Sequence, residues 1–150
     1  KIFVNAVSSA SNLMKISTAS ASAATTEGSI SIAVYKDPTN PKFAKDAAMK
    51  QYRALMAKYG SGDVNDVYNV YGMAVAYTLV DVLERAGKNL TRDGALTAAL
   101  HLNLPSNPFL LPGIRVHTTP NDRFPITQAY LQQWHSGSWG LISPILSARG

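Results

Sequence analysis

In residues 28–43, GSISIAVYKDPTNPKF, the apolar positions Ile30, Ile32 and Val34 alternate with small or polar ones. A period of two predicts an extended strand. Lys36-Asp37-Pro38 and Asn40-Pro41 then end it, because each proline fixes φ, removes a backbone donor and restricts the residue before it. Upstream, IFVNAV (2–7) predicts a short buried strand, and SSASN (8–12) a turn carrying helix caps. From Leu13 to Ala24 the chain is rich in Ala and Ser, with Leu13, Met14 and Ile16 as large anchors. This block reads either as a low-complexity linker or as a small-residue helix against a sheet. Its lack of Gly and Pro, between two strand-like runs, favours the helix.

Periodicity near 3.6 follows. Ala48, Tyr52, Leu55, Met56 and Tyr59 share one face of a helix predicted over Lys42 to Tyr59 and closed by Gly60. After the turn GSGDVND, Asp66 is placed to cap a long helix from about Val67 to Ala86. Its main stripe is Tyr71, Val75, Thr78, Leu79, Val82 and Ala86, widened by Val70, Ala74 and Tyr77, and Gly87 ends it. Thr91 caps a short helix to about Leu100, and LPSNPFLLPGI is loop. Residues 114–117 predict a strand; 126–134 and 139–146, joined by His135-Ser136-Gly137-Ser138, predict a β-hairpin. The class is α/β. Two short strands interleaved with helices do not close a doubly wound sheet by themselves. The expectation is therefore self-association, or a missing N-terminal half of the same protein completing the sheet. Lys1-Ile2-Phe3-Val4, lying inside an apolar run, points to a piece of a longer protein.

Composition narrows the chemistry. At 150 residues, 46% apolar and 15% charged, the chain suits a globular domain and has no membrane-spanning apolar run. A net charge of +5 is spread along the chain, which argues against a nucleic-acid partner. With no Cys there is no disulfide, thiolate metal site or Cys nucleophile. His101, His117 and His135 are isolated at a helix end, a strand exit and a hairpin tip. No GxSxG, HExxH or phosphate loop occurs, so no metal, no cofactor and no enzymatic activity are expected. Asp63 and Asp66 read as turn and capping residues, and Asn89-Leu90-Thr91 matches a glycosylation sequon that reads as a helix cap. The start of the long helix is the chemically suggestive place. Tyr68, Asn69 and Tyr71 crowd a helix N-terminus, where free N–H groups and the helix dipole would suit a carboxylate.

YKDPTNPKF, a helix ending MAKYG, DVNDVYNVYGMAVAYTLVDVLERAGKNLTRDGALTAAL and LLPGIRVHTTPNDRFPITQAYLQQWHSGSWGLI occur in an order that resembles the C-terminal part of a type I periplasmic solute-binding protein. The group resembled serves ABC importers of branched-chain amino acids and related ligands. The resemblance implies a partial type I periplasmic-binding-protein fold, with pieces of two Rossmann-like lobes linked by crossover strands and a C-terminal hairpin. Residues 1–35 would be second-lobe strand, helix and strand; 36–113 the helical portion of the first lobe; 114–150 a crossover strand and the second-lobe hairpin. Pro38 and Pro41 would stiffen the passage between lobes, and GIRVHTTPNDRFP would be the return crossing.

By the same resemblance the ligand cleft falls near Asn5, Ala6, Val7 and Ser8 and at Tyr68, Asn69 and Tyr71. Amino-acid binders of this kind often carry an acid after the first strand, and NAVSS has none, which leaves room for an aromatic or other organic carboxylate. The implied function is an extracytoplasmic solute-binding component, made with a signal peptide and located in the periplasm. It would bind an amino acid or aromatic carboxylate and deliver it to a membrane permease. A ligand-sensing receptor module of the same fold is the alternative, and a Ser hydrolase a remote one.

Overall fold

In a computed structural model, residues 2–148 are described, so the outermost positions of the two terminal ranges above, 1 and 149–150, lie outside it. The alternating run becomes β1 (Ile30–Ala33), antiparallel to β4 (Gln128–His135) with Ile30 opposite Gln133 and Ala33 opposite Tyr130. The predicted hairpin forms as β4 and β5 (Ser138–Leu141), with Trp134 opposite Trp139. Its tip has positive φ at both Ser136 (49°) and Gly137 (82°), the backbone of a type I′ turn, whose twist matches that of the flanking strands. The second arm is shorter than 139–146. After Leu141 the chain loops out, the Ser143 hydroxyl accepts the Leu131 N–H (2.8 Å), and β6 (Leu146–Ser147) returns to Gln128 and Ala129.

The buried face of β1 carries Ser31 and Ala33, with Ser29 buried just before it, while Ile32 is 44% exposed. Small residues are required there because Trp134 and Trp139, edge-to-face at 5.3 Å, stand over the sheet. Met14 and Val4 complete that cluster. Met14 comes from α1 (Ser11–Ser20), which with α2 (Ala23–Thr26) realises the helical reading of the Ala/Ser block. The expected buried strand at 2–7 is corrected. It makes one parallel bridge, Phe3 to Ile30, and Phe3 is 78% exposed. Pairing along one edge satisfies some backbone groups, and Val4 is half-buried against the tryptophan cluster, but the other side chains of 2–7 stay exposed.

The helix expected from Lys42 begins later. Pro41–Phe43 is a single 3-10 turn, and Asp46, accepting the Met49 N–H (3.0 Å), caps α3 (Ala47–Tyr59). Its buried residues are Met49 and Tyr52, whereas Tyr59 of the expected face is 71% exposed. Asp66 caps α4 (Val67–Ala86) as expected, and Gly87 ends it at φ 58°. The stripe on α4 is rotated from the expected one: Val70, Ala74 and Val82 are buried, while Tyr71, Val75 and Leu79 stay about half exposed. The reason is where the neighbours lie. Asn107 donates to the Ala74 carbonyl (2.9 Å) and Thr78 hydroxyl (3.2 Å), drawing the loop 105–115 onto the Val70/Ala74 side.

Thr91 caps α5 (Arg92–Ala99), accepting the Gly94 N–H (3.1 Å). The strand expected at 114–117 is reduced to β3 (Val116–His117), antiparallel to β2 (Asn103–Leu104). Phe109, Leu110, Leu111 and Ile114 fill the larger core beside α3 and α4. Two backbone bonds tie this core to the exit of β1: Lys36 N–H to the Phe109 carbonyl (3.1 Å), and Leu111 N–H to the Val34 carbonyl (2.8 Å). Among the described residues no helix is long and apolar enough to cross a membrane.

Candidate functional site: a tyrosine-lined cavity

Between the two cores lies a cavity of about 390 Å³, within the range of small-molecule pockets (about 300–1,000 Å³). Three elements wall it: the segment carrying Ala6, Val7 and Ser9; the end and exit of β1, Ile32 to Tyr35 with Asp37; and the first turn of α4, Val67, Tyr68 and Tyr71. Gln132 and Trp139 form its floor. Tyr35 and Tyr71 meet edge-to-face at 5.4 Å. Burial, with a smaller contribution from Tyr71, pushes the Tyr35 hydroxyl above its ordinary pKa. Trp139 Nε1 donates to the Ser9 carbonyl (2.7 Å), fixing both indole and segment.

Cross-links close the cavity from the side. The Tyr68 hydroxyl donates to the Val7 carbonyl, Ser11 donates to Asp37 Oδ2 (2.5 Å), and Asn12 donates to Asp66 Oδ2 (3.3 Å). The exit of β1 is itself braced: Lys36 pairs with Asp46 (2.7 Å), and Arg53 donates to the Pro38 carbonyl (2.9 Å). The stiff, proline-punctuated exit therefore carries the chain from the sheet to α3 along a fixed path.

Of the residues expected at the site, Ala6, Val7, Tyr68 and Tyr71 come together on the cavity wall. Asn5, Ser8 and Asn69 do not line it. Ser8 sits in a turn whose N–H donates to Asn5 Oδ1 (2.7 Å). Asn69 is about 100° around the helix from Tyr68, and donates to the Asp63 carbonyl (2.9 Å). The helix end is also not open to an anion in the way the sequence suggests, because Asp66 Oδ1 already accepts the Tyr68 N–H (2.9 Å). Sequence reasoning missed Asp37, Gln132 and Trp139. The hairpin that brings Gln132 and Trp139 under β1 is a long-range pairing, and Asp37 looked like a turn residue before a proline.

The histidines lie elsewhere. His101 Nδ1 is 2.8 Å from the Thr97 carbonyl at the end of α5, and His135 pairs with Glu27 at the hairpin tip. Among the described residues no group of three His, Asp or Glu side chains is placed to hold a metal.

Superposition on solved structures gives two close matches in shape. One is a branched chain amino acid ABC transporter from Thermus thermophilus with bound valine, at TM-score 0.76 and 13% identity over 98% of this chain. The other is described as an ABC transporter permease from the Pseudomonas fluorescens group, at TM-score 0.71 and 21% identity over 99% of this chain. This is a partial type I periplasmic-binding-protein fold. The chain spans 39% and 37% of the length of those two structures. At these identities the likeness is one of fold. No protein-family model matches the sequence, and no curated protein matches it. In this fold the cavity lies beside the crossing from β1 to α3, with its walls drawn from both cores.

Proposed function

We propose that the chain is part of the solute-binding component of an ABC transporter and holds a small organic molecule in the tyrosine-lined cavity. The observation that carries this reading is the cavity's position. Its walls come from two separately packed cores joined by the crossing at residues 34–42, so a ligand there touches both and couples their approach. In this reading residues 1–35 and 114–150 belong to one lobe and 36–113 to the other. The remaining parts of both lobes, a membrane permease that receives the solute, a periplasmic location and a precursor signal peptide complete it. In this reading the site binds without chemistry: among the described residues its wall holds tyrosines, a tryptophan and a carboxylate, with no histidine or lysine beside a serine.

The test is a thermal-shift screen of amino acids, aromatic acids and amines, followed by calorimetry with the wild-type protein and Tyr71→Ala. The reading expects saturable binding of at least one compound and weakening of about tenfold or more in the variant, from lost aromatic contact. Binding indifferent to Tyr71, or conversion of a compound into product, would overturn it.

A further inference from the structure

We propose that the charge recognised in this cavity is positive, and that its solute is an organic cation with a flat apolar body, its ammonium group seated on Asp37. The inference rests on the solute-binding reading above and specifies its ligand. Among the described residues Asp37 is the one carboxylate or cationic side chain on the cavity wall, and no Lys, Arg or His lines it. Lys36, its neighbour in the chain, is committed to Asp46 at 2.7 Å. Asp37 accepts from Ser11 Oγ (2.5 Å), from the Thr39 N–H (2.8 Å) and from Thr39 Oγ1 (2.7 Å). These neutral donors aim the carboxylate and leave its charge uncancelled, and among the described residues it has no ion pair.

The rest of the wall agrees. Tyr35, Tyr68, Tyr71 and Trp139 are the residue types whose ring faces attract a desolvated cation. The feature that would have welcomed an anion, the N-terminus of α4, is taken by the side chain of Asp66, which adds a second negative charge at the same helix end. A carboxylate ligand would therefore enter facing Asp37 with no cation on this wall to pair it, and burying an unpaired charge is costly.

The test uses two probes of like shape and opposite charge, phenethylammonium and 3-phenylpropanoate, titrated into the full chain by calorimetry. Quenching of Trp139 fluorescence provides the second readout. The expected result is saturable binding of the ammonium probe and weakening of about tenfold or more in Asp37→Asn, the size set by losing a charged hydrogen-bond partner. Asn keeps an acceptor for Thr39, and the Ser11 hydroxyl can reverse to accept, so the variant retains its fold; a matching melting temperature verifies that. Binding of 3-phenylpropanoate in preference, sensitive to Tyr71→Ala, would overturn the charge assignment and leave the solute-binding reading standing. Failure of both probes together with every compound of the screen would overturn both.

Discussion

Replacing Asp46 tests how the crossing from sheet to helix is held. Its carboxylate does two things: Oδ1 caps α3 through the Met49 N–H, and Oδ2 pairs with Lys36, which is only 8% exposed. Asp46→Ala removes both. Loss of a cap costs about 0.5–2 kcal/mol. Leaving the partner of a fully buried pair uncompensated costs about 3–5 kcal/mol, but here the Asp46 side chain is 26% exposed, so water relieves part of that. Together about 2–4 kcal/mol is expected, or a fall in melting temperature of about 5–15 °C for a chain of this size.

Asp46→Asn separates the parts, because Asn caps nearly as well; it should cost about 1–3 kcal/mol, the share of the ion pair. Lys36→Met removes the buried charge and leaves a partly exposed, capping carboxylate, so it should be the mildest change, at about 1 kcal/mol. Urea denaturation of the three variants measures the order. Asp46→Asn equal to wild type, or Lys36→Met worse than Asp46→Ala, would refute the reasoning.

The pH dependence follows from the same residue. Burial alone would raise the Asp46 pKa, but the Lys36 hydrogen bond and charge, with the Met49 and Ala48 N–H groups, outweigh it and hold the carboxyl below its usual range. A depressed folded-state pKa gives stability that is fully present above the unfolded value. It is lost as pH falls through the folded one. Acid denaturation should therefore begin at higher pH in Lys36→Met than in wild type.

Gly94→Ala should destabilise by about 1–3 kcal/mol or more by overpacking, since a Cβ there would lie 2.1 Å from the Asn89 carbonyl oxygen; urea denaturation reads this. Tyr52 and Tyr35 both have raised pKa values, burial being the leading cause in each. Their contribution is present below the unfolded tyrosine value and lost as pH rises through the folded ones, so ultraviolet titration should show tyrosine ionisation that comes only above the ordinary tyrosine value and together with unfolding. Trp139→Phe should cost about 1–3 kcal/mol, because the Ser9 carbonyl loses its buried Nε1–H partner; hydrogen exchange across residues 4–10 should rise.

Local signals in the sequence were legible where the physics is local. Asp66 and Thr91 cap, Gly87 ends α4, and Ser136-Gly137 turn the hairpin, because each is decided by a few adjacent atoms. Faces were read less well. The expected α4 stripe and the buried 2–7 strand assumed layers that the described residues do not provide, so Tyr71, Val75 and Phe3 remain exposed. At the site, Tyr68 and Tyr71 were visible from their crowding at the start of a long helix. Asp37, Gln132 and Trp139 were not, because only the pairing of β1 with β4, a hundred residues later in the chain, brings them to one wall.

The most direct test of the central claim is a crystal structure of the protein with the tightest compound from the screen. The account predicts that compound between Val7, Tyr35, Tyr71 and Trp139, touching elements of both cores. A compound seated instead in the polar cleft beside Arg85, Asp93 and His101, with the tyrosine-lined cavity left out, would contradict it.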